Sequence, residues 1–182
     1  MKLVWSMRFR AAPKDLHFFA IAALAWFLTA NFATATESYG SAGEWGLFYE
    51  NNSAASRTCW AATASFETLE INGSPIYFSV TRHVGSAPSV IVYADQRLPK
   101  SAGLKVNVSG SSYRLGSSDG QFAYTQSEAA DRKIIDDLKS LDKAGQKDPN
   151  DFFVSIPSVG NFSFYANGFN EALKQVLAKC SN

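Results

Sequence analysis

Histidine is scarce in this chain, which has two in 182 residues, and His83 is the only one after residue 35. A serine or cysteine nucleophile is usually activated by a histidine, and a zinc site needs about four close ligands. The chain also lacks an H-E-x-x-H motif, a phosphate-binding P-loop and a G-x-G-x-x-G turn. We therefore expect no metal, no cofactor and no histidine-based catalysis. A carboxylate pair for glycoside cleavage stays open, since no spacing selects one.

Long apolar runs are also lacking. The longest, from Phe18 to Leu28, is shorter than the ~20 residues of a membrane-spanning helix. Small residues follow it, and four basic residues precede it: Lys2, Arg8, Arg10 and Lys14. This order is typical of a secretory signal peptide over residues 1–35, cleaved between Ala35 and Thr36. The alternative is an uncleaved anchor, which would be the chain's one contact with a membrane.

A basic excess is absent as well. Residues 1–35 hold four of the 17 basic residues and one of the 16 acidic ones, which leaves 13 basic and 15 acidic residues and a formal charge of −2. Proteins that bind nucleic acid attract its phosphates with clustered basic residues. Nucleic acid is therefore not an expected partner. The remaining length suits a flexible leader over residues 36–43 and a single domain over residues 44–182.

Only two cysteines occur, Cys59 and Cys180. In an exported chain they are most simply a disulfide, because oxidising compartments make and keep such bonds. Cys180 ends an amphipathic stretch that predicts a final helix. Its apolar face holds six residues at helical spacing: Phe169, Ala172, Leu173, Val176, Leu177 and Cys180. The predicted bridge would fasten this helix to an early strand.

Most of the chain between the cysteines has the alternation of short β-strands. Runs such as Ile76–Thr81, Ser89–Tyr93 and Leu104–Val108 are joined by Gly, Ser and Asn turns. One internal helix is predicted over Glu128–Ala144, capped by Ser127 and ended by Gly145. The expected fold is mainly β, an antiparallel β-sandwich or partly open barrel with this helix and the tethered C-terminal one.

Five residues are candidates for binding. If Cys59 faces the core, Trp60 faces outward, and a tryptophan on an outer face can contact a partner. The others lie in predicted loops: Arg82, His83, Asp95 and Arg97. Each of the five also has an ordinary structural or surface interpretation. Together they favour a binding module, whose partner would be a protein or another envelope component.

Several segments, taken in order, resemble one family of bacterial exported proteins. They are Gly43–Tyr49 (GEWGLFY), Cys59-Trp60, Ile76–Arg82 (IYFSVTR) and Phe164–Phe169 (FYANGF), followed by Ala172-Leu173 and Cys180. This order of features is similar to the invasion-associated locus B family. The resemblance implies a small β-rich envelope or secreted protein with its cysteines bridged. It also implies a role in entry into or survival in host cells, without an enzymatic activity.

The chain departs from that family in two loops. His83 stands where the family often has proline, and Asp95–Pro99 stands where it usually has Gly-Tyr-Pro. The expected function is therefore a non-enzymatic binding protein of the periplasm or the medium. Two alternatives are an inhibitor of an exported hydrolase and a hydrolase that uses a carboxylate pair.

Overall fold

The structure is a computed structural model. It describes residues 36–53, 56–68, 75–95, 97–98, 103–117 and 120–181, and residues Thr34–Asn182 form one compact unit. The predicted signal peptide, which ends at Ala35, lies outside the described residues. Within them, no helix is long and apolar enough to cross a membrane.

The described residues form ten strands, joined by antiparallel pairing into one sheet that does not close. The sheet order is β1-β2-β3-β4-β5-β8-β7-β6-β9-β10. The strands are β1 (Glu37–Ala42), β2 (Trp45–Ser53), β3 (Ser56–Thr68), β4 (Pro75–His83), β5 (Ser89–Ala94), β6 (Lys105–Val108), β7 (Ser111–Ser117), β8 (Phe122–Thr125), β9 (Phe152–Ile156) and β10 (Gly160–Ser163). The helices are α1 (Glu128–Ala144), α2 (Phe169–Lys179) and a 3₁₀ turn at Pro149–Asp151. The prediction of a mainly β fold with an internal and a disulfide-tethered C-terminal helix is confirmed.

The first strand corrects the expected leader. Residues 36–43 are polar and small and were assigned to a flexible leader, but Glu37–Ala42 pairs with β2 as an edge strand. The Tyr49 hydroxyl donates a hydrogen bond to the Glu37 carboxylate across this pair. The register shifts at Gly40, and such a bulge bends an edge strand. Pairing with β2, rather than the strand propensity of its own residues, accounts for β1.

One face of strands β1 to β5 is buried against the two helices and against β9 and β10, at the other end of the same sheet, and we call it the inner face. Phe78 of β4 contacts Phe152 of β9 with ring centroids 4.8 Å apart, and Trp45 of β2 contacts Phe169 of α2 at 5.0 Å. All four side chains are fully buried. Burial of apolar side chains such as these is the main favourable term in folding.

The disulfide ties α2 to the inner face. Cys59 and Cys180 are fully buried and bonded, across a sequence separation of 121 residues. Two arginines hold the end of the same helix: Arg57 donates to the Lys179 carbonyl oxygen at 3.2 Å, and Arg82 to that of Leu177 at 2.9 Å. Cations favour the carbonyl end of a helix, so these contacts stabilise the helix terminus.

The beginning of α2 is held by a carboxylate and by a close backbone contact. Asp142 of α1 accepts hydrogen bonds from the backbone N–H groups of Gly168 and Asn170 at 3.0 and 2.7 Å. Gly43 lies against the same turn, where a Cβ would come within 2.4 Å of the Asn167 carbonyl oxygen. Two of the segments that carry the family resemblance, GEWGLFY and FYANGF, therefore meet at this point.

The internal helix has the predicted bounds. The Ser127 hydroxyl accepts a hydrogen bond from the Ala130 N–H, and Gly145 ends the helix with a φ of 72°. Asp131 in its first turn is buried and accepts hydrogen bonds from the Val90 N–H and the Thr125 hydroxyl, each at 2.7 Å. A buried carboxylate thus joins α1 to β5 and to the end of β8.

Candidate functional site

The opposite face of the central strands, the outer face, carries a set of aromatic side chains. Successive side chains of a strand point to opposite faces, so the residues beside Cys59, Phe78 and Val92 point away from the helices. Six aromatic residues share the outer face, and each is half-buried. We call them the aromatic face: Phe48, Trp60, Tyr77, Tyr93, Phe122 and Tyr124.

Strand register divides the aromatic face into two groups. Phe48 is paired with Trp60 across β2 and β3, and their rings lie 5.7 Å apart at an angle of 21°. The second group lies on β4, β5 and β8, where Tyr77 is paired with Tyr93 and Tyr93 with Phe122. The ring centroids are 6.0 and 4.9 Å apart in these two pairs, and Tyr124 lies 6.3 Å from Phe122.

A glycine allows one ring to lie close to the sheet. Gly46 precedes Phe48 by two residues, on the same face, and a Cβ there would come within 2.9 Å of the Phe48 ring. The ring therefore covers the backbone at Gly46 instead of standing away from it. Any larger residue at this position would displace Phe48.

Small side chains separate the two aromatic groups. Trp60 is paired with Thr81, and Tyr77 lies four residues along β4 from Thr81, a distance of about 13 Å at the usual rise per residue. Ala62 and Ser79 face outward between them and are paired with each other. The aromatic face thus has two raised ends and a lower middle.

Polar groups border both ends. The Tyr93 hydroxyl donates a hydrogen bond of 2.6 Å to Asp95, and this bond, with some burial, raises the pKa of the Tyr93 phenol. At the other end, His83 Nδ1 lies 2.8 Å from the Thr58 hydroxyl. Within the described part of the chain, the hydroxyls of Tyr77 and Tyr124 have no hydrogen-bond partner.

The structure brings together some of the predicted binding residues. Trp60 belongs to the aromatic face, as expected from the inward position of Cys59. His83 is exposed and lies diagonally across from Trp60, at the end of β4 rather than in a loop. Asp95 is exposed and joins the other end through Tyr93.

Two predicted binding residues lie apart from this face. Arg82 is paired with Cys59 on the inner face, where its guanidinium holds the end of α2. Two residues paired across neighbouring strands point to the same face. Because Arg82 is paired with Cys59, it points inward and makes a structural contact. Arg97 is exposed, and its side chain packs over Gly120, where a Cβ would meet it at 3.2 Å.

Five members of the aromatic face were not among the predicted binding residues. Alternation within each strand could have indicated them. If Phe78 and Ala123 point inward, then Tyr77, Phe122 and Tyr124 point outward. Alternation alone could not show that β5 and β8 are neighbours. The aromatic residues become one surface only through that pairing.

Carboxylates line two openings beside the helices, and Glu44 and Asp142 belong to one of them. A shallow groove between α1 and α2 contains Glu128 and Asp136, which pair with Arg132 and Lys139 at 2.9 and 3.0 Å. Exposed ion pairs of this kind contribute little to stability. Among the described residues, no three or more metal-ligating side chains are grouped to hold an ion.

Comparisons of this chain with protein-family models, with curated proteins and with solved structures find no match.

Proposed function

We propose that this protein is an exported, non-enzymatic binding protein that contacts a component of the cell envelope through its aromatic face. The observation that carries this proposal is the position of six half-buried aromatic side chains on one side of a sheet whose other side packs against two helices and the last two strands. Clusters of partly exposed aromatic side chains on a rigid scaffold are characteristic of binding surfaces.

Export is supported by the disulfide and by the signal-like sequence of residues 1–35. The bond between Cys59 and Cys180 joins distant parts of the domain, and such structural disulfides form in oxidising compartments. The proposed location is the periplasm or the medium. The resemblance to the invasion-associated locus B family adds contact with host cells as a further role of the same surface.

Binding is favoured over catalysis by the chemistry around the aromatic face. The one hydroxyl–imidazole pair there, Thr58 and His83, lies where β3 is paired on both sides. Backbone N–H groups inside a sheet are used by neighbouring strands and cannot stabilise an oxyanion. An acyl-transfer site would need such donors beside its nucleophile.

Cross-linking of the purified protein to the envelope fraction of its own cells tests the proposal, with a host-type membrane extract in parallel. We expect a stoichiometric partner whose capture falls when Trp60 or Tyr77 is replaced by alanine. Tyr165→Ala is the matched control, because Tyr165 is 46% exposed and packs on Phe66, outside the aromatic face. Capture that is equal in all variants, or absent from both extracts, would contradict the proposal.

A further inference from the structure

The kind of partner can be narrowed from the charge of the aromatic face. Its six aromatic residues, and the small residues between them, carry no basic side chain. At its edges the acidic Glu50 and Asp95 are balanced by the basic Lys105 and Arg114, and His83 lies beside Trp60. A polyanion such as nucleic acid or an acidic polysaccharide would need cations to replace its counterions. The face therefore suits an uncharged ligand.

Its apolar content is also distinctive. Apart from Pro75 at the start of β4, Ile91 is the only aliphatic side chain larger than alanine among the outer-face residues of the β3–β4, β4–β5 and β5–β8 pairs described above. Lipid chains and apolar helices are usually bound by grooves rich in aliphatic side chains and methionine. Rings and hydroxyl groups dominate here instead. Such a surface complements a ligand that has both flat C–H faces and many hydroxyl groups.

We propose that the ligand is an uncharged glycan strand of β-linked pyranose units. This inference rests on the proposed binding function and names the chemistry of its partner. Each pyranose ring has an apolar C–H face that packs on an aromatic ring, while its rim of hydroxyl groups forms hydrogen bonds. The unpartnered hydroxyls of Tyr77 and Tyr124 are placed to supply such hydrogen bonds.

The shape of the aromatic face fixes a path for the strand. The chain of sugars packs against Trp60 and Phe48 at one end and against Tyr77 and Tyr93 at the other, and crosses the low middle at Ala62 and Ser79. The two ends are about 13 Å apart along the strand direction. An extended β-linked strand can span this distance, whereas a single sugar reaches only one end.

Isothermal titration calorimetry of the purified protein tests the proposal with defined probes. We use hexamers of β-1,4-linked N-acetylglucosamine and of β-1,4-linked glucose, their monosaccharides, and the polyanion heparin. At least one hexamer is expected to bind, with both monosaccharides much weaker and heparin without measurable binding. Tighter binding of heparin than of either hexamer would overturn the proposal, because the charge argument would be wrong.

Variants then connect binding to the aromatic face. Trp60→Ala and Tyr77→Ala are each expected to weaken the hexamer about fivefold or more, from the loss of one ring contact. Tyr124→Phe keeps the ring and removes only a hydroxyl, so it remains informative if an alanine variant is unstable; we expect binding about threefold weaker. Tyr165→Ala should bind as the unaltered protein does.

The outcomes separate this inference from the proposed function. Glycan binding that is unaffected by all three variants of the aromatic face would overturn the inference. Failure of both hexamers to bind would also overturn it, and if envelope capture still depended on Trp60, the proposed function would stand with a protein partner. Concentration-dependent dimerisation abolished by Trp60→Ala would instead identify a second copy of this chain as the occupant. If the unaltered protein neither bound a hexamer nor captured an envelope partner, the inference and the proposed function would both be refuted.

Discussion

The two faces of strands β2 to β5 share one backbone but differ in how tightly their side chains are packed. On the inner face, Phe78 and Trp45 are fully buried, and they contact Phe152 of β9 and Phe169 of α2. On the outer face, the six aromatic side chains are half-buried, and their rings contact one another within two groups. Packing against another layer dictates the residue type on the first face, and the second is the face through which we propose binding.

From this contrast we expect substitutions on the two faces to affect different properties, stability on the inner face and binding on the outer one. A substitution on the inner face removes contacts with another layer and leaves a cavity, so its effect appears in the free energy of unfolding. A substitution on the outer face removes a ring that is partly in water already. Its effect on stability is smaller, and its effect on binding should be larger.

The largest expected loss of stability follows removal of the disulfide. The double substitution of Cys59 and Cys180 by alanine should lower the free energy of unfolding by about 4 to 5 kcal/mol, because the bond closes a very long loop. Urea denaturation of both forms under oxidising conditions measures it. An unchanged midpoint in the double variant would contradict this prediction, and glycan binding by the folded fraction should be retained.

Neighbouring residues of β4 give the most direct comparison of the two faces. Phe78→Ala should cost about 3 to 5 kcal/mol of unfolding free energy, whereas Tyr77→Ala should cost clearly less, since the side chain of Tyr77 is only half-buried. Calorimetric melting and envelope capture are measured for both variants. Equal losses of stability would show that the outer face is packed as tightly as the inner one.

The sequence predicts best those elements that have local signals. The bounds of α1 follow from Ser127, which caps its first turn, and from Gly145, which can adopt a positive φ at its end. The inward position of Cys59 and the outward position of Trp60 follow from strand alternation. In contrast, β1 has polar and small residues and becomes a strand by pairing with β2, which no local pattern reveals.

The candidate site was predicted only in part because it depends on long-range pairing. Tyr93 and Phe122 become neighbours through the pairing of β5 with β8, which are separated in sequence by β6 and β7. The sequence predicts Arg82 in a loop because the predicted hairpin loop begins two residues too early. The actual strand continues to His83, which places Arg82 on the inner side, beside α2.

The smallest expected effect concerns Asp131, the one buried carboxylate among the residues that the structure describes. Burial raises the pKa of Asp131 above the ordinary 3.8, although the hydrogen bonds from Thr125 and Val90 oppose this. A group whose pKa is raised by folding binds its proton more tightly in the folded state, so its contribution to stability falls as pH rises through the window from 3.8 to the raised value. Asp131→Asn stays uncharged throughout. The stability of the unaltered protein relative to this variant should therefore decline with rising pH across that window, as measured by urea denaturation at several pH values. A relative stability that increases with pH would mean that the two hydrogen bonds outweigh burial at this site.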